Sequence, residues 1–145
     1  MYKHLLIAPD GSELAQKAVD HGLALAKALQ AQATVVAVSE PWEVVMVPEA
    51  VVVFPPTDYE DSVAARAATI LTGATDTARK LGTFCAALHV KDRYPAEGIV
   101  ETAKEKACDL IVMASHGRRG FRRLILGSAA NEVVTHSSIP VLIGR

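Results

Sequence analysis

The sequence has few of the residues on which specialised small proteins depend. Only 5% of its 145 residues are aromatic, and only two are cysteines. Cys85 and Cys108 form no C-x-x-C pair, which excludes a disulfide framework and a cysteine zinc site. The first apolar run, residues 5–8, ends at Pro9 and is too short for a signal-peptide core or a membrane span. We therefore expect a cytoplasmic protein without a membrane partner.

The chain also lacks an excess of charge of either sign. Its 15 Lys and Arg residues and 16 Asp and Glu residues leave a net charge of −1, so nucleic acid is a disfavoured partner. The charge is uneven, because residues 111–145 hold five arginines and one acid, Glu132. An anionic ligand near the C-terminal third fits this local excess. The length and the 50% hydrophobic content predict one globular domain, residues 1–145.

Short apolar runs alternate with stretches of helical periodicity along the chain. The runs predict five strands, at residues 5–8, 34–38, 84–90, 110–114 and 140–143. Helices are predicted from Ser12 to about residue 29, over 59–81, over 95–106 and over 127–136. Residues 39–56 hold four prolines, which exclude a central strand and predict an irregular excursion over the surface.

This alternation of strand and helix predicts an α/β fold with a parallel sheet and helices on both faces. Such sheets bind ligands beyond the carboxyl ends of their strands, where the strand order reverses. With two strand–helix units wound in each direction, the strand order reverses between the first and fourth strands. Residues 8–11 and 113–117 are expected to meet there.

The most informative segment is residues 114–128, which reads ASHGRRGFRRLILGS. Its glycines, Gly117 and Gly127, allow an anion to approach the backbone, and Ser128 opens a helix whose N-terminus favours negative charge. A phosphate site is one interpretation. In the other, the glycines only shape a turn and Ser128 is an ordinary N-cap.

Over essentially its whole length the chain resembles the universal stress protein family. The residues that carry the likeness are IAPDGSELAQKA after the first strand, LIVMASHGRRGFRRLILGS around the fourth, and the ending IPVLIGR. The resemblance implies a Rossmann-like, adenine nucleotide alpha hydrolase-like three-layer fold with strand order 3-2-1-4-5. The nucleotide-binding branch carries G-x2-G-x9-G-[ST], and here Gly117, Gly127 and Ser128 fit, whereas Ala114 replaces the first glycine.

The resemblance further implies a site for an adenine nucleotide, ATP, ADP or AMP, with Mg²⁺. Asp10 would contact the ribose or, indirectly, the metal, while Val38 and Met113 would line the base. Ser115, His116 and Gly117 would follow the ribose and the phosphates. The distal phosphates would be held by Gly127, Ser128 and Ala129. The complete set of candidate binding residues is Ala8, Pro9, Asp10, Val38, Met113, Ala114, Ser115, His116, Gly117, Arg118, Gly127, Ser128 and Ala129.

Each candidate also has a plainer interpretation. Asp10 can cap the first helix, and Val38 and Met113 can belong to the core. The basic run with Arg118 can be a solvated loop rather than a cover for phosphates. His116 has no second titratable group at a spacing that would orient it as a base.

Three functions fit these residues. The first is a regulatory protein whose adenine nucleotide changes its conformation or its binding of partners in the stress response. The second is a slow ATP hydrolase, and the third is a stress adaptor that binds no nucleotide. No lysine lies in a Walker A loop, so we expect no catalytic residues and at most incidental hydrolysis. The presence of Gly117, Gly127 and Ser128 in the motif favours the first function over the third.

The last strand predicts an assembly. Val141, Leu142 and Ile143 form an apolar strand at the edge of the sheet, and such edges pair with other chains. The resemblance implies a homodimer through this strand across a two-fold axis. In the alternative, the proline-rich excursion covers the edge and the protein is a monomer.

Overall fold

The computed structural model describes residues 1–10, 12–42, 45–47, 50–52, 56–116 and 126–145. The candidates Gly117 and Arg118, together with Arg119, Arg122 and Arg123, therefore lie outside the described residues. The strands are β1 (His4–Ala8), β2 (Gln32–Ser39), β3 (Val45–Val47), β4 (Ala50–Val52), β5 (Ala86–Lys91), β6 (Leu110–Ala114) and β7 (Val141–Gly144). The helices are α1 (Glu13–Leu29), α2 (Pro56–Leu81), α3 (Pro95–Glu105) and α4 (Ser128–His136).

Five strands form a parallel sheet in the order β5-β2-β1-β6-β7. Counted without β3 and β4, this is the predicted order 3-2-1-4-5, which is thereby confirmed. Side chains alternate between the two faces because successive residues of a strand point to opposite sides. Leu5 and Ile7 of β1 pack in the core cluster with α1 and α2, whereas Leu6 packs in the cluster with α3 and α4.

Helix α1 begins where the sequence predicts. Ser12 is its N-cap, and the Ser12 hydroxyl accepts a hydrogen bond from the backbone N–H of Ala15 at 3.1 Å. Asp10 is not the cap, but its Oδ1 accepts from the N–H of Ser12 at 3.0 Å and braces the turn before the helix. The helix packs closely on the sheet, since a Cβ added to Gly22 would lie 2.9 Å from Cδ1 of Ile7.

The prediction of an irregular segment over residues 39–56 is wrong in part. Strands β3 and β4 form an antiparallel pair with Val45 opposite Val52. Valine favours extended backbone, and Pro48 falls in sequence between the two strands rather than inside either one. The pair stands apart from the five-stranded sheet, so the exclusion of a central strand here holds.

Helix α2 confirms only part of the face that its apolar spacing predicts, which consists of Ala64, Ala68, Leu71, Ala74, Ala78 and Leu81. Ala64 and Ala68 are exposed and Ala67 is buried instead, whereas Leu71 and Leu81 pack against the core. Ala74 and Ala78 are buried as predicted. The pattern is ambiguous because alanine occupies both faces of this helix, so the positions of the alanines do not define which side is buried. No helix in the described parts of the chain is long and apolar enough to cross a membrane.

Candidate functional site

The carboxyl ends of three adjacent strands bring the apolar candidates together. Ala8 ends β1 and is the register partner of Met113 in β6, while Val38 lies one residue before the end of β2. All three side chains belong to the cluster that packs against α3 and α4. They form one apolar surface at the predicted reversal of strand order, which is also consistent with a role in the core.

The segment after β1 is held by hydrogen bonds at both of its polar groups. The carboxylate of Asp10 accepts from Ser12, as described, and the Asp10 carbonyl oxygen accepts from Nη2 of Arg66 at 2.9 Å. Pro9 is buried and Asp10 is half-buried. Arg66 therefore positions this segment from α2, a role the sequence analysis missed. The sequence feature that indicates this role is that Arg66 is the only charged residue in the alanine-rich run VAARAA.

The N-terminus of α4 has no side-chain cap among the described residues. Gly127 is the N-cap with φ −61° and ψ 159°, and the first turn of the helix holds no acid. Ser128 is the first helical residue rather than the N-cap, so the plainer interpretation of Ser128 is wrong. Unpaired N–H groups and the helix dipole favour an anion at this position.

Ser115 joins α4 to the sheet through its main chain. Its carbonyl oxygen accepts from the N–H of Gly127 at 2.7 Å, and its own N–H donates to the carbonyl oxygen of Gly144 at 2.9 Å. The residue is 4% exposed, and its Oγ lies 3.0 Å from Nδ1 of His116. Thus the end of β6 fixes both the N-cap of α4 and the end of β7.

Two cavities open near this edge of the sheet. One, of about 250 Å³, lies between the first turns of α3 and α4. The other, of about 700 Å³, lies between α1 and α2. Ser128 and Ala129 line the first, and Pro9 and Asp10 line the second. The described residues therefore place these candidates in two separate cavities, one beside α1 and α2 and the other beside α3 and α4, rather than in one.

The smaller cavity includes residues that the sequence analysis did not select. Glu40, Tyr94 and Glu132 line it beside Ser128. Glu40 directly follows β2, and an acidic residue after the second strand is a known ribose-binding position in doubly wound folds. Tyr94 precedes Pro95 at the start of α3 and is 49% exposed. Tyr94 could have been selected from the sequence, because it is an aromatic residue at a strand-to-helix turn in a chain with few aromatics.

Outside this site, the described groups with shifted pKa values do not form a second reactive centre. Both cysteines are buried, and burial raises the pKa of Cys85; burial, and then the charge of Asp109, raises the pKa of Cys108 to about 11. Such thiols are poor nucleophiles. Burial, and then the charge of Lys91, lowers the pKa of His89, whose Nε2 lies 2.6 Å from the hydroxyl of Ser39.

A metal site formed by protein side chains alone is not found in the described part of the chain, where no group of three His, Cys, Asp or Glu residues is arranged around a common point. One oxygen of the Asp10 carboxylate is already used by Ser12. Mg²⁺ commonly binds through one or two carboxylates together with ligand phosphates, so the role of Asp10 toward a metal stays a prediction.

Comparison with known proteins gives a consistent result over the whole chain. The model of the universal stress protein family matches residues 1–145. Universal stress protein YxiE of Bacillus subtilis is 32% identical over 149 aligned residues, which cover 100% of both chains.

Solved structures agree with this match. A universal stress protein in complex with cAMP has a TM-score of 0.75 at 24% identity and covers 99% of this chain and 97% of its own. The universal stress protein of Archaeoglobus fulgidus in complex with dAMP has a TM-score of 0.72 at 20% identity and covers 99% and 98%. At these identities the likeness establishes the fold.

Proposed function

Because this chain belongs to the universal stress protein family, we propose that it is a regulatory protein of the stress response that binds an adenine nucleotide. The observation that carries the proposal is the N-terminus of α4, which begins directly after Gly127 at the carboxyl end of β6 and is capped by no described side chain. The cAMP and dAMP complexes of the two solved relatives support an adenine ligand.

The proposed ligand lies across the carboxyl ends of the strands. Its base contacts Val38 and Met113, and its ribose lies toward Asp10. Its phosphates accept hydrogen bonds from the N–H groups of Ser128 and Ala129, where the helix dipole favours negative charge. Ala114 adds one methyl group where the family motif has glycine, at the place where the backbone passes the proposed ribose. Where Mg²⁺ accompanies ATP, the phosphates supply most of its ligands and Asp10 acts indirectly.

We propose binding without physiological catalysis. Phosphoryl transfer needs a positioned metal, a residue that orients the nucleophile and a cation that stabilises the transferring group. The described residues provide only Asp10 toward the first of these. The nucleotide then acts through conformation or partner binding, and the protein acts in the cytoplasm. Incubation with ATP and Mg²⁺ should release phosphate far more slowly than about 1 per second, the low end of ordinary enzyme turnover.

We also propose a homodimer through β7. This strand is an edge of the described sheet, and Val141, Leu142 and Ile143 are half-buried in the isolated chain. Its outer N–H and C=O groups can pair with the same strand of a second copy. An isologous contact of this kind buries the remaining apolar surface of both strands.

The experiment that tests nucleotide binding has two parts. Acid extraction of the purified protein and chromatography of the supernatant identify any nucleotide that copurifies. Calorimetric titration with ATP, ADP and AMP then compares the wild type with Gly127→Val. The branched side chain occupies the phosphate position, so we expect at least about a tenfold loss of affinity in a folded variant.

Two results contradict the proposal. Absence of binding by the wild type at millimolar nucleotide favours the adaptor without nucleotide. Equal affinity of the wild type and Gly127→Val, with an unchanged circular dichroism spectrum, removes α4 as the phosphate site.

A further inference from the structure

The cavity between the first turns of α3 and α4 holds an acidic residue beside the proposed phosphate donors. Glu40 lines this cavity together with Ser128 and Ala129. Its volume of about 250 Å³ lies below the range of about 300–1,000 Å³ that is usual for sites of whole small-molecule ligands. The cavity therefore fits a part of a nucleotide, its sugar and phosphate, rather than the whole molecule.

The apolar surface proposed for the base adjoins this cavity through the first turn of α3. A Cβ added to Gly98 would lie 2.8 Å from Cγ1 of Val38. The N–H of Gly98 donates to the carbonyl oxygen of Tyr94 at 2.9 Å, and Tyr94 lines the cavity. Because the ribose joins the base to the phosphate, a nucleotide with its base on Val38 and its phosphate at Ser128 has its ribose beside this cavity.

The main chain around Glu40 is held in place at the end of β2. The carbonyl oxygen of Ser39 accepts from the N–H of Arg93 at 3.3 Å, and that of Glu40 accepts from the hydroxyl of Tyr59 at 2.8 Å. The Glu40 carboxylate is exposed and makes no hydrogen bond or ion pair within the described part of the chain. An ionised carboxylate only accepts hydrogen bonds, so its partner on a ligand is a donor such as a hydroxyl and not a phosphate oxygen.

Asp10 is another carboxylate at this edge of the sheet, and it is less suited to a ribose hydroxyl in this cavity. One of its oxygens accepts from the N–H of Ser12, and Asp10 lines the cavity between α1 and α2 instead. In doubly wound folds the acidic residue that binds the ribose 2′-hydroxyl follows the second strand, which is the position of Glu40.

We propose that the Glu40 carboxylate accepts a hydrogen bond from the ribose 2′-hydroxyl, so that the site selects ribonucleotides over 2′-deoxyribonucleotides. The inference rests on the proposed function, because it names the substrate class of the same site. It assigns the selection to one side chain after β2, which is separate from the main-chain donors of α4.

The test compares the affinities for AMP, dAMP and 3′-deoxy-AMP by calorimetric titration. The ratio of these affinities is the readout, because loss of a negative charge near the phosphate affects all three ligands alike. Glu40→Ala removes the acceptor, and Glu40→Gln keeps an acceptor oxygen without the charge. Glu97→Ala is the matched control, since Glu97 is an exposed glutamate in the first turn of α3. Asp10→Asn and Glu132→Ala test the two other carboxylates that line the cavities.

We expect the wild type to bind AMP and 3′-deoxy-AMP about tenfold more tightly than dAMP. This factor is the low end of the range for a hydrogen bond to a charged group, because water competes at an exposed carboxylate. The preference for AMP over dAMP should fall below about twofold in Glu40→Ala and be intermediate in Glu40→Gln. It should persist in Glu97→Ala, Asp10→Asn and Glu132→Ala.

The possible failures are distinguishable. Equal binding of AMP and dAMP by the wild type overturns the inference and leaves the proposed function standing. A preference that survives in Glu40→Ala, or that is lost in Asp10→Asn or Glu132→Ala instead, assigns the hydroxyl to another group and also overturns it. Weak binding of 3′-deoxy-AMP with tight binding of dAMP moves the contact to the 3′-hydroxyl. If the wild type binds none of the three, the proposed function fails with the inference.

Discussion

Two glycines inside helices have opposite surroundings, and alanine at each position separates helix propensity from packing. A Cβ added to Gly73 in α2 would meet nothing within 4 Å. One added to Gly98 in α3 would lie 2.8 Å from Cγ1 of Val38 and 3.0 Å from Cγ2. The same substitution is therefore expected to stabilise one helix and to strain the other.

The magnitudes follow from two opposing effects. Replacing glycine by alanine inside a helix stabilises it by about 1 kcal/mol. Inserting a methyl group into a packed contact costs about 1–3 kcal/mol. Val38 cannot easily turn away, because its side chain is branched at Cβ and both of its methyl groups lie near the new atom. Gly73→Ala should gain about 1 kcal/mol, and Gly98→Ala should lie about 1–3 kcal/mol below it.

Urea unfolding followed by circular dichroism measures this difference. The midpoint should rise for Gly73→Ala and fall below it for Gly98→Ala, at unchanged m-value. A Gly98→Ala midpoint equal to that of Gly73→Ala would refute the packing argument, because both variants gain the same helix propensity.

The same pair of variants tests the role of Val38 in the proposed site. Displacement of Val38 by the new methyl group should weaken AMP binding in Gly98→Ala, whereas Gly73→Ala should bind like the wild type. Equal affinities in a Gly98→Ala protein that is clearly destabilised would place Val38 in the core alone.

Two further predictions concern the edge of the sheet and its acid stability. The carbonyl oxygen of Pro140 accepts from the N–H of Ile111 in β6, and that of Gly144 accepts from the N–H of Ser115 directly after β6. Because alternate residues of a strand face the same side, the N–H of Ile143 points away from β6. Ile143→Pro should therefore be monomeric and Ile143→Ala dimeric in sedimentation equilibrium, and a dimeric Ile143→Pro would exclude pairing through β7. Although burial raises the pKa of Asp109, hydrogen bonds from the N–H groups of His4 and Lys3, at 3.0 and 2.8 Å, lower it below its ordinary value overall. A carboxyl group whose pKa is lowered in the folded state stabilises the protein above the ordinary carboxyl pKa of about 3.9. This stabilisation is lost as the pH falls through the pKa of the folded state. The urea midpoint of the wild type should therefore exceed that of Asp109→Asn at pH 7 and approach it near pH 3, and a constant difference would contradict the linkage.

The parts of the fold that were predictable are those in which one residue pattern has one structural solution. The run LIVMA in β6 is buried at every residue, as its apolar character on both faces predicts. Ser12 and Pro95 mark the starts of α1 and α3, because capping and fixed φ favour those residues there. The order of the sheet follows from the alternation of these elements.

The errors arise where the pattern is ambiguous or the interaction is distant. Alanine on both faces of α2 left its buried side undefined, so Ala67 was missed. The contact of Arg66 with the Asp10 carbonyl joins residues 56 positions apart, and local periodicity contains no information about it. The close approach of Gly98 to Val38 likewise depends on how α3 crosses the sheet.

The tests of the proposed site are not independent of one another, because its parts meet at Ser115. That residue contacts Gly127, Gly144 and the ring of His116. Substitutions that share a partner are not expected to add, whereas those at separate sites usually do. The loss of AMP affinity in Gly127→Val should therefore be measured again in Ile143→Pro, since Gly127 and the end of β7 share Ser115 as a partner. If the combined loss equals the sum of the two single losses, α4 and β7 act on the site separately. A different combined loss means that Ser115 transmits the effect of one substitution to the other.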